Sequence, residues 1–428
     1  MRLFVFVCMA LFVMPLYARQ DLPQEHSSSN AGPAMCALDE RLVIEDSGKV
    51  LVRASPDLAR GEFSLPESVE IVERLAFRDC RGLTVLKMPP SVHSVADDFG
   101  GCPSLSAFIV GDDNAFLSSR DGVLYDKAMT RLIRTPFVFS SEELTLPPGI
   151  RRIADGNFCR TKGLRKINFP KTVEEIGDFC FLGESDLRSF SVDKANRRFN
   201  SPDGMLVDVA IGVLVRCPPC CPLDEIVVPA EAVSIGESAF SYCRFLRSVR
   251  VSERTCNIGR GAFSRCHGLE KIEISASVKS IAHDAFYDCK SLAQILVASS
   301  NRTYRSVANS LYDDGNTLVR QTSAIDDGTV HVPDFVESVG SFAFSGLDNV
   351  EHIILAERVS NLSHLAFAGC PNIKKVSFNG DCPSGLLNAG LPDGCVVVAD
   401  LKKRKWKLLL EACKESGCES QTIVIRSK

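Results

Sequence analysis

The chain has one tryptophan, Trp406, with only six tyrosines, seven methionines and seven histidines in 428 residues. Its few histidines form no His-Glu-x-x-His pair, and neither a Gly-x-Ser-x-Gly elbow nor a phosphate loop occurs. The common signatures of zinc hydrolases, serine hydrolases and nucleotide-binding enzymes are therefore missing. Charge of one sign is lacking too. The 49 Lys and Arg against 53 Asp and Glu leave a formal net charge of -4, which offers nothing global to nucleic acid or to a membrane surface. Beyond residue 17 no uncharged stretch is long enough to span a bilayer. An enzyme reading has no positive support, and no cofactor or metal is expected. The length exceeds one ordinary compact domain unless the architecture is a repeat or a barrel.

What is present begins with MRLFVFVCMALFVMPLYARQ: Arg2 supplies a positive start, Leu3 to Tyr17 an uncharged apolar core, and Ala18 a small residue for cleavage. This pattern is expected of a secretory signal peptide over 1–18, which makes the mature chain secreted or cell-surface. Residues 19–37 are polar and Ser-rich and read as a disordered lead-in.

The strongest signal is a period. In residues 234–300, Phe240, Phe263 and Phe286 fall 23 apart, as do Cys243, Cys266 and Cys289, and Leu246, Leu269 and Leu292. The unit is Ile-x-x-x-Ala-Phe-x-x-Cys-x-x-Leu-x-x-Ile-x-Val, and it recurs around Phe77, Phe99, Phe158, Phe181, Phe344 and Phe367. The last apolar residues of successive units, from Leu65 to Phe378, mark thirteen rungs, mostly 23 residues apart with three longer steps of 35 or 36. Leu-x-x-Ile-x-Val gives a short strand with alternate side chains on one side. One unit cannot bury its apolar face, but stacked units share a core. At about 4.8 Å per strand, thirteen rungs span roughly 60 Å. The fold class expected is an α/β-type repeat solenoid of short parallel strands over 38–380.

The longer steps carry an aromatic, a turn at Asp-Gly or Asp-Asp-Gly and two apolar runs, and read as β-hairpins inserted near 114–136, 197–218 and 302–320. A fourth hairpin near 41–53 is placed to cap the first rung. Ile109 and Leu296 precede two of the insertions and point outward, so each hairpin is expected to fold back over its neighbour. After Phe378 the period stops. Residues 381–428 read as a cap: a strand near Val396–Ala399, an amphipathic helix over about 400–416 with Trp406, Leu409 and Leu410 inward, and an edge strand.

Ile235-Gly236, Ala239-Phe240, Cys243 and Leu246, interleaved with Asp121-Gly122-Val123-Leu124-Tyr125 and Val215-Arg216-Cys217-Pro218, resemble the BspA-like leucine-rich repeats over about residues 38–380. The resemblance implies a leucine-rich repeat fold and a secreted or surface protein of bacteria or protists, in several members an adhesin. It implies no catalytic residues. The chain carries no C-terminal sorting motif or transmembrane anchor, which leaves its means of attachment open.

The repeat accounts for most of the candidate chemistry. Gly259-Arg260-Gly261 lacks the third glycine of a dinucleotide fingerprint and reads as a turn. Cys266 belongs to a column with Cys80, Cys102, Cys243, Cys289 and Cys370, and a catalytic thiol would be singular, so the column reads as small buried filler with S–H groups toward backbone carbonyls. His267 has no counterpart in adjacent rungs and reads as an exposed turn residue. Cys217-Pro-Pro-Cys220-Cys221 is open to packing with a local disulfide, to thiols, or to a metal. Cys382 with Cys395 and Cys413 with Cys418 are further possible bridges. Lys402–Lys407 reads as the solvated face of the cap helix or as an anion-binding patch. Asn301-Arg302-Thr303 and Asn361-Leu362-Ser363 match the glycosylation rule.

In a solenoid the exposed face of the parallel sheet is the natural binding surface. Its outward positions include Arg165, Lys166, Arg188, Arg247 and Arg250, followed by Glu270 and Glu273. A basic cluster preceding an acidic rung could recognise an acidic protein segment or a glycan. Cross-strand charge pairing on a solvated face is the competing reading.

Overall fold

The computed structural model describes residues 41–58, 60–96, 99, 101–400, 404–408 and 423–427. The expected leader and lead-in, most of the cap helix, Leu409 and Leu410, and the Cys413–Cys418 pair lie outside these residues. Within them the chain is a β-solenoid with almost no helix, matching the repeat expectation.

Each Leu-x-x-Ile-x-Val stretch forms one strand of a parallel main sheet, as in Lys271–Ile274, where Ile272 and Ile274 are buried and Lys271 and Glu273 are not. The register is strictly rung on rung: Ser248 faces Lys271, which faces Gln294. Two-residue strands such as Ser234–Ile235, Asn257–Ile258 and Ser280–Ile281 form a second, narrower parallel sheet on the return path. Between the two sheets lies the core.

The repeated phenylalanines stack in the core. Ring centroids of Phe240 and Phe263 are 5.0 Å apart, those of Phe263 and Phe286 5.5 Å, and those of Phe344 and Phe367 5.2 Å, all nearly parallel. Beside them the thiols do what the column reading expected. Cys266 donates to the carbonyl of Phe240 at 2.9 Å, Cys289 to Phe263 at 3.0 Å and Cys370 to Phe344 at 2.8 Å, each one rung back. The residue two after each Phe turns the chain through a left-handed conformation. Glycine supplies it at Gly101, Gly346 and Gly369, whereas Asp79, Tyr242, Arg265 and Asp288 hold it without glycine.

The insertions differ from the hairpins expected. Each is a three-stranded antiparallel meander, as in Leu117–Arg120, Val123–Asp126 and Arg131–Arg134. The third strand runs parallel to the next strand of the narrow sheet and takes the place of one of its rungs. The tip of each meander stands beside the last main-sheet strand: Phe108 N–H donates to Gly122 O at 3.0 Å and Ile295 N–H to Asn309 O at 3.0 Å. These tips divide the main sheet into blocks of three, three, four and five strands. They do not cover the neighbouring side chains, since Ile109 is 43% and Leu296 37% exposed. The meander pairs through backbone at the strand's edge and leaves its outward face clear.

At the C-terminal end, Cys395–Ala399 pairs in parallel with Lys375–Phe378, and Ile423–Ser427 pairs in parallel with Cys395–Ala399. The main sheet therefore has fifteen strands, two more than the thirteen rungs read from the period. Trp406, on the helical segment 404–408, is buried, meets Phe378 edge-on at 5.1 Å and donates to Gly380 O at 3.3 Å. Arg404, Lys405 and Lys407 on the same segment are exposed.

Candidate functional site

Along the outward face, side chains 23 residues apart sit one above the other. Arg165 lies 2.7 Å from Glu142 and Lys166 3.1 Å from Glu143, on the preceding rung. In the third block, Arg247 pairs with Glu270 at 3.2 Å and Arg250 with Glu273 at 2.9 Å, while Lys271 also reaches Glu273 at 2.7 Å. Hydrogen bonds from Lys271 and then Arg250 hold the Glu273 carboxyl below its ordinary range. Asn168 and Lys166 do the same for Glu143. The basic cluster and the acidic rung expected as separate features thus neutralise each other in cross-rung pairs. Arg188 stands at the end of its block, exposed and with no ion pair among the described residues. Between the charges lie exposed apolar side chains, Val227 at 58% besides Ile109 and Leu296.

These pairs are well solvated, and exposed pairs contribute little. Arg247→Ala is expected to change unfolding stability by about 0.5 kcal/mol or less, measured by urea denaturation at low and high salt. A larger loss that survives high salt would show that the pair does more than decorate the face.

The interior holds a second concentration of chemistry. The cysteines among the described residues are thiols, so neither a bridge within Cys217–Cys221 nor one between Cys382 and Cys395 is formed. Among the described residues no group of three or more His, Cys, Asp or Glu is arranged to hold a metal ion. Cys220 donates to Ser185 O at 3.4 Å, away from its neighbours. The Cys217 thiol points to Pro218 O at 3.9 Å, and Cys243 to Cys217 O at 3.8 Å and Pro218 O at 3.7 Å, so both turn to backbone carbonyls like the rest of the column. His267 is exposed, as expected, and lies 3.2 Å from Asp288.

Two recurring residues have structural roles that the sequence pattern did not reveal. Arg134, Arg216 and Arg320 end the third strand of each insertion and point inward; all three are buried. Each donates to a carbonyl of the following rung: Arg134 to Gly156, Arg216 to Ser238 and Arg320 to Phe342. Asn114, Asn196 and Asn301 open the insertions, and each side-chain amide donates to two carbonyls of the preceding rung. For Asn301 these are Ser275 O at 2.9 Å and Val278 O at 3.0 Å. The Asn301 nitrogen that the glycosylation rule would modify is thus committed to the fold. The signal was in the sequence, as an Asn two or three residues before the aromatic of every insertion.

A family model described as "BspA type Leucine rich repeat region" matches residues 59–120, 137–201, 218–311 and 326–385. Among solved structures, a leucine-rich repeat protein from Eubacterium ventriosum is 16% identical, with a TM-score of 0.51 over 77% of this chain and 84% of that one. A leucine rich cell surface protein from Faecalibacterium prausnitzii is 17% identical, with a TM-score of 0.43 over 84% of this chain and 98% of that one. No curated protein sequence matches the chain.

Proposed function

The chain belongs to the BspA-type leucine-rich repeat family, and from that premise we propose that it is a secreted or cell-surface binding module, without enzymatic activity, that engages a protein or glycan partner in adhesion. The observation carrying this reading is the contrast between its two surfaces. The interior repeats Phe, Cys and Leu from rung to rung, whereas the outward row changes from Val227 to Arg250, Glu273 and Leu296 on four consecutive strands. A face selected only for solubility has no need of exposed apolar side chains in register with charged ones. A flat surface offering both kinds suits recognition, with rim charges guiding approach and apolar side chains supplying buried contact. No helix among the described residues is long and apolar enough to cross a membrane.

The test is a screen of the mature protein against extracellular-matrix proteins and a glycan array, repeated with Arg165, Arg188, Arg247 and Arg250 changed together to alanine. Binding to a ligand found in the screen is expected to weaken by about tenfold or more. Unchanged binding to that ligand would remove this face as the site. A chain that binds nothing in either screen would favour an architectural, envelope-organising role.

A further inference from the structure

Arg131, Arg152 and Glu175 stand in one row of the narrow sheet, partnered strand to strand in parallel register. Arg131 begins the third strand of the first meander, and the other two begin the two-residue strands that follow it. Leu132 and Ile153, the next residues along, are buried, so the charged row is the one turned to solvent. At the positions of Arg131 and Arg152 the other blocks have Val213 and Ser234, Thr317 and Ser338, and Val50 and Ile71. Neighbouring strands are about 4.8 Å apart, so the two arginines stand side by side, an arrangement that repulsion disfavours. The other blocks hold the same strands without it. The fold does not require this pair.

The row borders a cavity of about 280 Å³ whose lining includes Arg131, Arg152, Glu175, Asp155, Ala154 and Gly177. Arg152 lies 3.1 Å from Glu175. Oδ1 of Asp155 accepts the Asp178 N–H at 2.9 Å. Ala154 is buried and contributes an apolar patch to the wall. Gly177 places no side chain over Asp155, and a Cβ there would run into its carboxylate.

We propose that this cavity binds an acidic sugar, whose carboxylate meets Arg131 and Arg152 while its ring hydroxyls donate to Asp155 and Glu175. The volume lies at the lower edge of small-molecule pockets, which suits one sugar ring. A guanidinium matches a carboxylate in a bidentate fork, and two side by side present donors to both of its oxygens. The two acids discriminate. A bare sulfate would meet their charge with no hydroxyl to donate, whereas a polyhydroxylated acid satisfies the arginines and the carboxylates together. Ala154 gives the C–H face of the ring an apolar contact. The site names a glycan class for the binding module proposed above, but on the opposite sheet. Changing Arg165, Arg188, Arg247 and Arg250 leaves it intact, so the two readings fail separately.

The experiment titrates the full-length protein with glucuronate, galacturonate and N-acetylneuraminate by saturation-transfer NMR, with glucose and acetate as controls and sulfate as a competitor. At least one of the acidic sugars is expected to bind about tenfold or more tightly than glucose or acetate, since each control lacks half of the hydrogen bonds. An equal concentration of sulfate should not displace it. Replacing both Arg131 and Arg152 with alanine should weaken binding by about tenfold or more, whereas Arg250→Ala should leave it unchanged. The proposal is overturned if none of the three sugars binds, if acetate or sulfate competes as well as the sugar, or if the double variant binds like the wild type. The first two outcomes are read on the wild-type chain, so they stand even if the variant fails to fold.

Discussion

Phe263→Ala is expected to destabilise the solenoid by about 4 kcal/mol, in the range for a fully buried phenylalanine whose site cannot collapse. Its ring lies between those of Phe240 and Phe286, at 5.0 and 5.5 Å, with planes within 9° and 8° of parallel. Removing it leaves a void between two rings held by their own rungs, and it removes two stacking contacts as well. The damage should be local, because each rung touches only its neighbours. Hydrogen exchange is therefore expected to show lost protection first in the strands from Ile235 to Val297, with the rungs before residue 120 nearly unaffected. Phe245→Ala is the control: this ring is 55% exposed, and its loss should cost about 0.5 kcal/mol at most. Equal effects of the two substitutions would mean that the stack is not the structural spine.

Arg216→Met is the second large effect, about 3 kcal/mol. Methionine fills much of the same volume but leaves the carbonyls of Ser238 and Ser241 and the Ser241 hydroxyl without their donor. Arg216→Lys should rescue only part of the loss, since one ammonium cannot reach partners arranged for a planar fork. Urea unfolding of the three proteins makes the comparison. The opposing term is the cost of burying a guanidinium away from any carboxylate. A methionine variant as stable as the wild type would show that this cost cancels the hydrogen bonds, leaving the arginine with no net structural contribution.

The cross-rung ion pairs show how closely a repeat sequence can be read. Arg247 and Glu270, Arg250 and Glu273, and Glu143 and Lys166 are each 23 residues apart. In an in-register parallel stack that separation places two side chains side by side. Reading outward residues rung by rung suggested a basic patch and an acidic one; reading them at the period pairs them. The insertions were harder. Their first strands, Leu117–Arg120, Phe199–Asn200 and Tyr304–Val307, share no alternation of apolar and polar residues. Their order comes from backbone pairing with the second strand of each meander, so a hairpin was all the pattern displayed. The tail's last strand and edge strand were legible as short apolar runs, but not their place in the main sheet. The loop from Asn379 to Gly394 breaks the period, although Cys395–Ala399 still pairs in register with Lys375–Phe378.

By itself the sequence determined the solenoid, its rung spacing, the stacked Phe column and the thiols turned to the carbonyls one rung back. All of these are contacts between neighbouring rungs, and periodicity records such contacts directly. Only the tertiary structure decided that the three arginines closing the insertions lie inside, and that the tail continues the main sheet. Those features arise where the period is interrupted, at insertions and ends. There the chain's path depends on how backbone hydrogen bonds and buried charge are satisfied across rungs rather than on a repeated spacing.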